Sequence, residues 1–310
     1  MFSIFHPPSS ILYLLSMHWQ KIALIGVGLL GGSLGLAIKQ RRLADKVHGF
    51  VRRAASIAEC ESLGVVDQAT LDPQRAVENA DLIILCTPIA QMRPVVEQML
   101  PAIKRGALVT DVGSVKGSLI RELEPLVTSV GAHFIGSHPM AGAEKMGVSA
   151  ARADLFEKSV CVITPTANSE GTAVGQVEEF WRAVGARPLR LTPEIHDELV
   201  SRSSHLAHVV AAELANYVLS PAHPKEQAML CANGFRDTTR IASGSPEMWR
   251  DIALANREHL ARVLGVFIED LQEFQLALRD GDQNLIAEFF EKAKQRRDQW
   301  CGQAASSSPE

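Results

Sequence analysis

No long apolar run, no excess of basic charge and no paired cysteines mark this chain. Each absence removes a class of protein. The apolar stretch near the start, Ile11-Leu12-Tyr13-Leu14-Leu15, is far shorter than the about 20 residues needed to span a bilayer. No basic region precedes it, Pro7-Pro8 interrupts the segment, and no small-residue cleavage site follows, so a secretory leader is not expected either. Residues 1–17 read as an accessory or disordered extension. A formal net charge of −4 supplies no basic field for nucleic acid, so any anionic ligand must be met by local Arg and Lys. The five cysteines (Cys60, Cys86, Cys161, Cys231, Cys301) form no C-x-x-C pair, which points to reduced thiols in the cytoplasm rather than a disulfide framework. No internal repeat stands out.

What is present is a sequence of 310 residues, long enough for two domains, with 46% hydrophobic residues to build a sizeable core. From Lys21 to Leu191, apolar strand candidates near 21–25, 46–51, 81–86, 107–111, 132–136, 159–164 and 187–191 alternate with helical segments. That alternation predicts a Rossmann-type, doubly wound α/β domain with a largely parallel sheet, over residues 18–191. Near Pro193 the pattern changes. His196 to Leu219, Lys225 to Ile241, Pro246 to Asp280 and Gln283 to Gln299 read as long helices, giving an all-helical domain over 192–301 and a disordered tail over 302–310. Its helices carry more apolar residues than one thin layer hides, among them Leu206, Val209, Leu214, Leu260 and Phe267. A homodimer through the helical domain is therefore expected.

Gly26-Val27-Gly28-Leu29-Leu30-Gly31 closes the first strand and opens a helix, the setting in which G-x-G-x-x-G binds a dinucleotide. Gly26 permits the tight turn, Gly28 lets the backbone approach a pyrophosphate, and Gly31 allows close helix–strand packing. The helix from Leu29 offers free N–H groups to the phosphates. Thr87-Pro88 ends a later strand at the same crevice. The second strand ends in Phe50-Val51-Arg52-Arg53. An NAD site places Asp or Glu there for the ribose 2′-hydroxyl; Val51 occupies that position here, and Arg52 and Arg53 suit a 2′-phosphate. NADP is expected over NAD, the alternative being two solvated arginines that open a helix.

Ser137-His138-Pro139-Met140-Ala141-Gly142 follows the strand predicted at 133–135 and puts a proton-transfer residue at the ligand crevice. Together with Asp111-Val112-Gly113-Ser114-Val115-Lys116, Ser204-His205-Leu206-Ala207-His208, Gly234-Phe235-Arg236-Asp237-Thr238-Thr239-Arg240-Ile241-Ala242 and Met248-Trp249-Arg250-Asp251, this stretch resembles the prephenate/arogenate (cyclohexadienyl) dehydrogenases of tyrosine biosynthesis, from about Trp19 to Trp300. The resemblance implies oxidative decarboxylation of a cyclohexadienol to a phenol, with His138 as the base and Ser114 beside it. It implies Arg240 as the clamp on a substrate carboxylate, His205 and His208 as pocket histidines, and Glu144, Asp237 and Trp249 as residues that line or gate the pocket. No metal is expected, because hydride transfer supplies the redox chemistry and aromatisation drives the loss of CO₂. The chain is expected to carry no appended regulatory domain. Two other readings stay open: a β-hydroxyacid dehydrogenase or imine reductase, and a non-catalytic NADPH-sensing protein.

Overall fold

The computed structural model describes residues 18–142 and 145–306. The extension over 1–17, Glu144 and residues 307–310 lie outside the described residues. Among the described residues eight strands form: β1 (Trp19–Ile25), β2 (Ala44–Phe50), β3 (Gln68–Thr70), β4 (Leu82–Leu85), β5 (Leu108–Asp111), β6 (His133–Pro139), β7 (Val160–Thr164) and β8 (Arg187–Arg190). They make one sheet in the order β3-β2-β1-β4-β5-β6-β7-β8. Every neighbouring pair is parallel except β6 with β7. The expected largely parallel, Rossmann-type sheet is therefore observed, with one more strand than the sequence pattern revealed. That strand, β3, has only three residues, too few to show a period.

Alternate residues of a strand face opposite sides of the sheet, and here both sides are covered. Ile22 and Leu24 of β1 join Leu34, Ile38, Leu82, Ile84 and Trp181 in one buried cluster. Ala23 and Ile25 join Ile83, Leu85, Met92, Val96, Val109 and Phe134 in the other. Burial on both faces accounts for the nearly unbroken apolar runs in β1 and β4.

Strand β6 is longer than expected and changes partner along its length. Leu108, Val109 and Thr110 of β5 pair in parallel with His133, Phe134 and Ile135. From Gly136 onward the strand pairs antiparallel with β7, His138 opposite Val162. His138 is thus within the strand, not just after it. Gly136 allows this because a Cβ there would stand 2.6 Å from Thr164 Oγ1 and 3.0 Å from Ile120.

The helical half differs from the expectation in its breaks. A helix over Pro193–Val200 passes through a π-helical turn, Ser201–His205, into the helix Leu206–Val218. The stretch expected as one helix from Lys225 to Ile241 divides into Glu226–Met229, Asn233–Thr239 and a 3₁₀ turn at Arg240–Ser243. The stretch from Pro246 to Asp280 divides at Asn256, whose side-chain amide donates instead to the Asp197 carbonyl and His205. The last helix runs from Gln283 to Ser306, past the expected start of the tail, since good helix formers such as Gln303, Ala304 and Ala305 continue it. The chain parts into two compact units, 1–257 and 258–310. The change of sequence pattern at 191/192 marks where strands cease, whereas the first helices beyond it belong to the unit that holds the sheet. Among the described residues no helix is long and apolar enough to cross a membrane.

Candidate active site

The strand order reverses between β1 and β4, which opens a crevice at their carboxyl ends. The glycine loop lies there. Gly26 has φ +99°, a conformation L side chains rarely adopt. A Cβ on Gly31 would stand 2.1 Å from the Gly26 carbonyl oxygen, so only glycine lets the helix begin this close to the strand. Around Gly28 the space is open, with nothing within 4 Å of where a Cβ would be. No side chain caps the helix Leu29–Gln40, so its first N–H groups face that space unassisted. Leu29 is buried and Leu30 packs against the same core, which anchors this first turn. Thr87, at the end of β4, buries a hydroxyl that has no hydrogen-bond partner among the described residues, and exposed Pro88 caps the next helix. An open cradle, an uncapped helix terminus and an orphaned hydroxyl fit a dinucleotide.

At the end of β2 the structure separates two expectations. Arg52 and Arg53 are exposed, and their side chains make no hydrogen bond or ion pair among the described residues. Val51 packs into the core at 4% exposure, with its N–H donated to the Thr70 carbonyl. Its side chain is therefore not the group that faces a ribose, and a carboxylate there would be buried.

The loop after β5 is held by a buried ion pair. Lys116 and Asp111 are both fully buried and bonded to each other, and Lys116 Nζ also donates to the Ser137 carbonyl at 2.7 Å. Asp111 accepts from the Gly113 N–H at 2.7 Å and from the Ser137 N–H at 3.1 Å. Ser114 and His138 each follow a residue whose backbone is fastened to this one carboxylate. That common anchor ties Ser114, on the loop after β5, to His138, near the carboxyl end of β6. Ser137 turns away from the site: its hydroxyl donates to the Asp111 carbonyl and accepts from the Trp181 indole N–H at 3.0 Å.

His138 Nδ1 lies 2.9 Å from His196 Nε2, and His196 Nδ1 lies 2.8 Å from Asp197 Oδ1. His196 and Asp197 sit in the helix that Thr192 caps through the Ile195 N–H. Burial, followed by the nearby His196, Lys116 and His205, pushes the His138 imidazolium well below its usual range. Burial also lowers His196 despite the opposing Asp197. The imidazoles at this site are thus neutral at neutral pH.

The π-helical turn delivers His205, buried, next to this group, a use of π turns common at functional sites. Asn256 Nδ2 donates to His205 Nδ1 at 3.2 Å. Burial pushes the His205 pKa down to about 4, against the raising effects of Asp197 and the Ser114 carbonyl. His208 donates Nδ1–H to the Ser204 carbonyl at 2.9 Å and stacks on Trp249 with ring centroids 3.6 Å apart. Trp249 also meets His205 edge-on at 6.2 Å, so the structure brings His205, His208 and Trp249 together. Asp237 and Arg240 are exposed on the neighbouring helix and 3₁₀ turn.

His205 Nε2, Thr87 Oγ1, Gln91 Oε1 and Ser118 Oγ are buried polar atoms without a hydrogen-bond partner among the described residues. They lie just after β4 or β5 or, for His205, in the π turn, where a ligand can satisfy them. Sequence reasoning missed Gln91, Ser118, Asn256, the Asp111–Lys116 pair and the place of His196 and Asp197 in the site. The one signal available was adjacency: a His-Asp pair opening a helix just past a Thr-Pro start. Among the described residues no group of three or more His, Cys, Asp or Glu is arranged to hold a metal ion.

Comparison with known proteins matches two family models to the chain. The nucleotide-binding domain of prephenate dehydrogenase covers residues 34–189, and the dimerization domain of prephenate dehydrogenase covers 192–292. A cyclohexadienyl dehydrogenase of Zymomonas mobilis is 35% identical over 90% of this chain and 95% of its own length. Among solved structures, prephenate dehydrogenase from Aquifex aeolicus, in complex with hydroxyphenyl propionate and NAD+, superposes with a TM-score of 0.84 at 30% identity, over 92% of this chain and 99% of that one. Synechocystis arogenate dehydrogenase superposes with a TM-score of 0.77 at 28% identity, over 90% and 99%. These matches do not favour the β-hydroxyacid dehydrogenase, imine reductase or sensor readings. With both halves matched and the sheet, glycine loop and histidine site in place, the chain belongs to the prephenate dehydrogenase family and is an oxidoreductase of the dehydrogenase class.

Proposed function

We propose that this protein oxidatively decarboxylates prephenate and arogenate, with NADP preferred to NAD, giving 4-hydroxyphenylpyruvate and tyrosine. The observation that carries the reading is His138: a buried, neutral imidazole at the carboxyl end of β6, engaged at Nδ1 by His196. Such a group accepts a proton without first having to lose one.

His138 receives the hydrogen bond of the substrate's 4-hydroxyl through Nε2 and takes its proton as the carbonyl forms. A bound nicotinamide would supply the acceptor for the hydride of C4. Ser114 orients the hydroxyl from the loop fixed by Asp111. Arg240 pairs with a substrate carboxylate, for which a planar guanidinium fork is better suited than a point charge. His205 and His208, aligned by Asn256 and Trp249, line the pocket. Glu144 and Asp237 take the gating and lining roles that the family pattern implies. Loss of CO₂ from C1 then completes the aromatic ring, and the proton returns to the phenolic oxygen.

Gly26, Gly28, Leu29, Leu30 and Gly31, with Thr87 and Pro88, would hold the dinucleotide. The A. aeolicus protein was solved with NAD+, so the preference for NADP rests on Arg52 and Arg53 of this chain alone. The match to a dimerization domain, and exposed Tyr217, Met229 and Leu230, support a homodimer. The five cysteines are free thiols, a pattern compatible with a cytoplasmic location.

The test is steady-state kinetics with prephenate and arogenate, each with NADP and NAD, read as nicotinamide reduction. Turnover of both substrates is expected, with NADP favoured at least about tenfold in kcat/KM, or about 1.4 kcal/mol. The double variant Arg52→Ala, Arg53→Ala erases that preference if the arginines carry it. Equal use of both cofactors by the wild type refutes the NADP assignment, and no turnover of either substrate refutes the function.

A further inference from the structure

The Asp197 carboxylate faces three donors. Its Oδ1 accepts from the Lys116 N–H at 2.8 Å and faces His196 Nδ1, and its Oδ2 accepts from the Gly117 N–H at 2.8 Å. The two N–H groups open the helix Gly117–Ser129, which has no side-chain cap of its own, so Asp197 caps it from a different element. Burial would raise the Asp197 carboxyl, but the bonds from His196, Lys116 and Gly117 outweigh burial and hold it below the usual range. An ionised Asp197 can only accept, so His196 carries its proton on Nδ1. A neutral His196 then presents a bare Nε2, and its neighbour there is His138 Nδ1. Each ring nitrogen is thus assigned by the bond that the other makes.

We infer that His196 and Asp197 are positioning residues for the base: they hold His138 with its proton on Nδ1, which leaves Nε2 free to take the proton of the substrate. This rests on the assignment of His138 as the base. With the opposite tautomer, keeping the ring-to-ring hydrogen bond would need a proton on His196 Nε2 as well as Nδ1, making a buried imidazolium that burial and Lys116 disfavour. When Nε2 takes the substrate's proton, the new imidazolium donates through Nδ1 to His196, and His196 donates to Asp197. The carboxylate, its orientation set by the helix end, stabilises a charge that burial alone would oppose. This is the logic by which an aspartate orients and supports the histidine of a hydrolase triad. A two-imidazole chain performs it here. The two rings meet edge to face, with centroids 5.1 Å apart and planes at 72°, a geometry that allows a hydrogen bond between ring nitrogens.

The test needs neither substrate nor cofactor in its first arm. Full-length protein labelled with ¹⁵N-histidine is examined by long-range ¹H–¹⁵N NMR at pH 7.5, with His138 assigned by its loss in His138→Asn. A protonated Nδ1 and a bare Nε2 are expected for His138. His196→Phe keeps a ring in the buried slot but removes the acceptor. It is expected to mix the His138 tautomers and lower kcat by about 10- to 100-fold with little change in KM. His196→Gln returns an acceptor oxygen toward Nδ1 and is expected to restore the single tautomer and most of the lost turnover. A wild-type His138 protonated on Nε2 overturns the inference, as does a tautomer unchanged in His196→Phe or a Gln variant no better than Phe. If His196→Phe does not fold, the wild-type spectrum alone decides. Failure of the proposed function leaves the tautomer as observed, whereas an enzyme that turns over with Nε2 protonated loses only the relay.

Discussion

The folded chain should be unusually sensitive to mild acid, and His205 allows the size of the effect to be worked out. Burial holds its pKa at about 4 in the folded protein against 6.5 in the open chain. The gap, at about 1.4 kcal/mol per pH unit, amounts to about 3 kcal/mol. The sign follows from which state binds the proton. Between 6.5 and about 4 the unfolded chain is protonated at this histidine and the folded chain is not, so stability is intact above 6.5 and falls as the pH drops through that window. At pH 5 the linkage relation gives a loss of about 2 kcal/mol relative to pH 7 from this residue alone. His205→Asn isolates the effect, because its amide oxygen can still accept from Asn256 while the side chain no longer titrates. Urea unfolding of wild type and variant at pH 7 and pH 5, at one protein concentration and with m-values compared, reads the difference directly. The variant should lose about 2 kcal/mol less than the wild type over that interval. An equal loss in both proteins would mean that His205 is protonated within the folded chain and that its burial has been misjudged.

Other variants report on neighbouring parts of the site. His138→Asn keeps size and polarity but removes the base, so turnover should fall by about 10²- to 10⁴-fold with cofactor affinity nearly unchanged, as checked by steady-state kinetics and cofactor titration. Arg240→Gln should raise the KM for either substrate by about ten- to 150-fold, the worth of one charge-assisted carboxylate contact, and an unchanged KM would assign the carboxylate to another cation. Lys116→Met leaves Asp111 buried without its partner and should lower unfolding free energy by about 3–5 kcal/mol. Adding Asp111→Asn to that variant should recover part of the loss in the same urea titration.

Local features determined what sequence reading could reach. The sheet was legible because β1 and β4 are buried on both faces and so read as unbroken apolar runs. The glycine loop was legible because positive φ at Gly26 and the contact at Gly31 exclude every other residue. His138 was legible through a motif, but its setting was not. Only the tertiary structure brings His196 and Asp197, 58 and 59 positions later in the chain, against His138 and the end of the helix Gly117–Ser129. Val51 stands by sequence where an NAD site places a carboxylate, yet in the fold its side chain packs into the core. The helix breaks at Asn256 and at the π turn were equally hidden, because helical periodicity continues through them. What ends or distorts the helix there is a side-chain amide and a histidine drawn to partners elsewhere in the fold, and such partners have no signature in the local sequence.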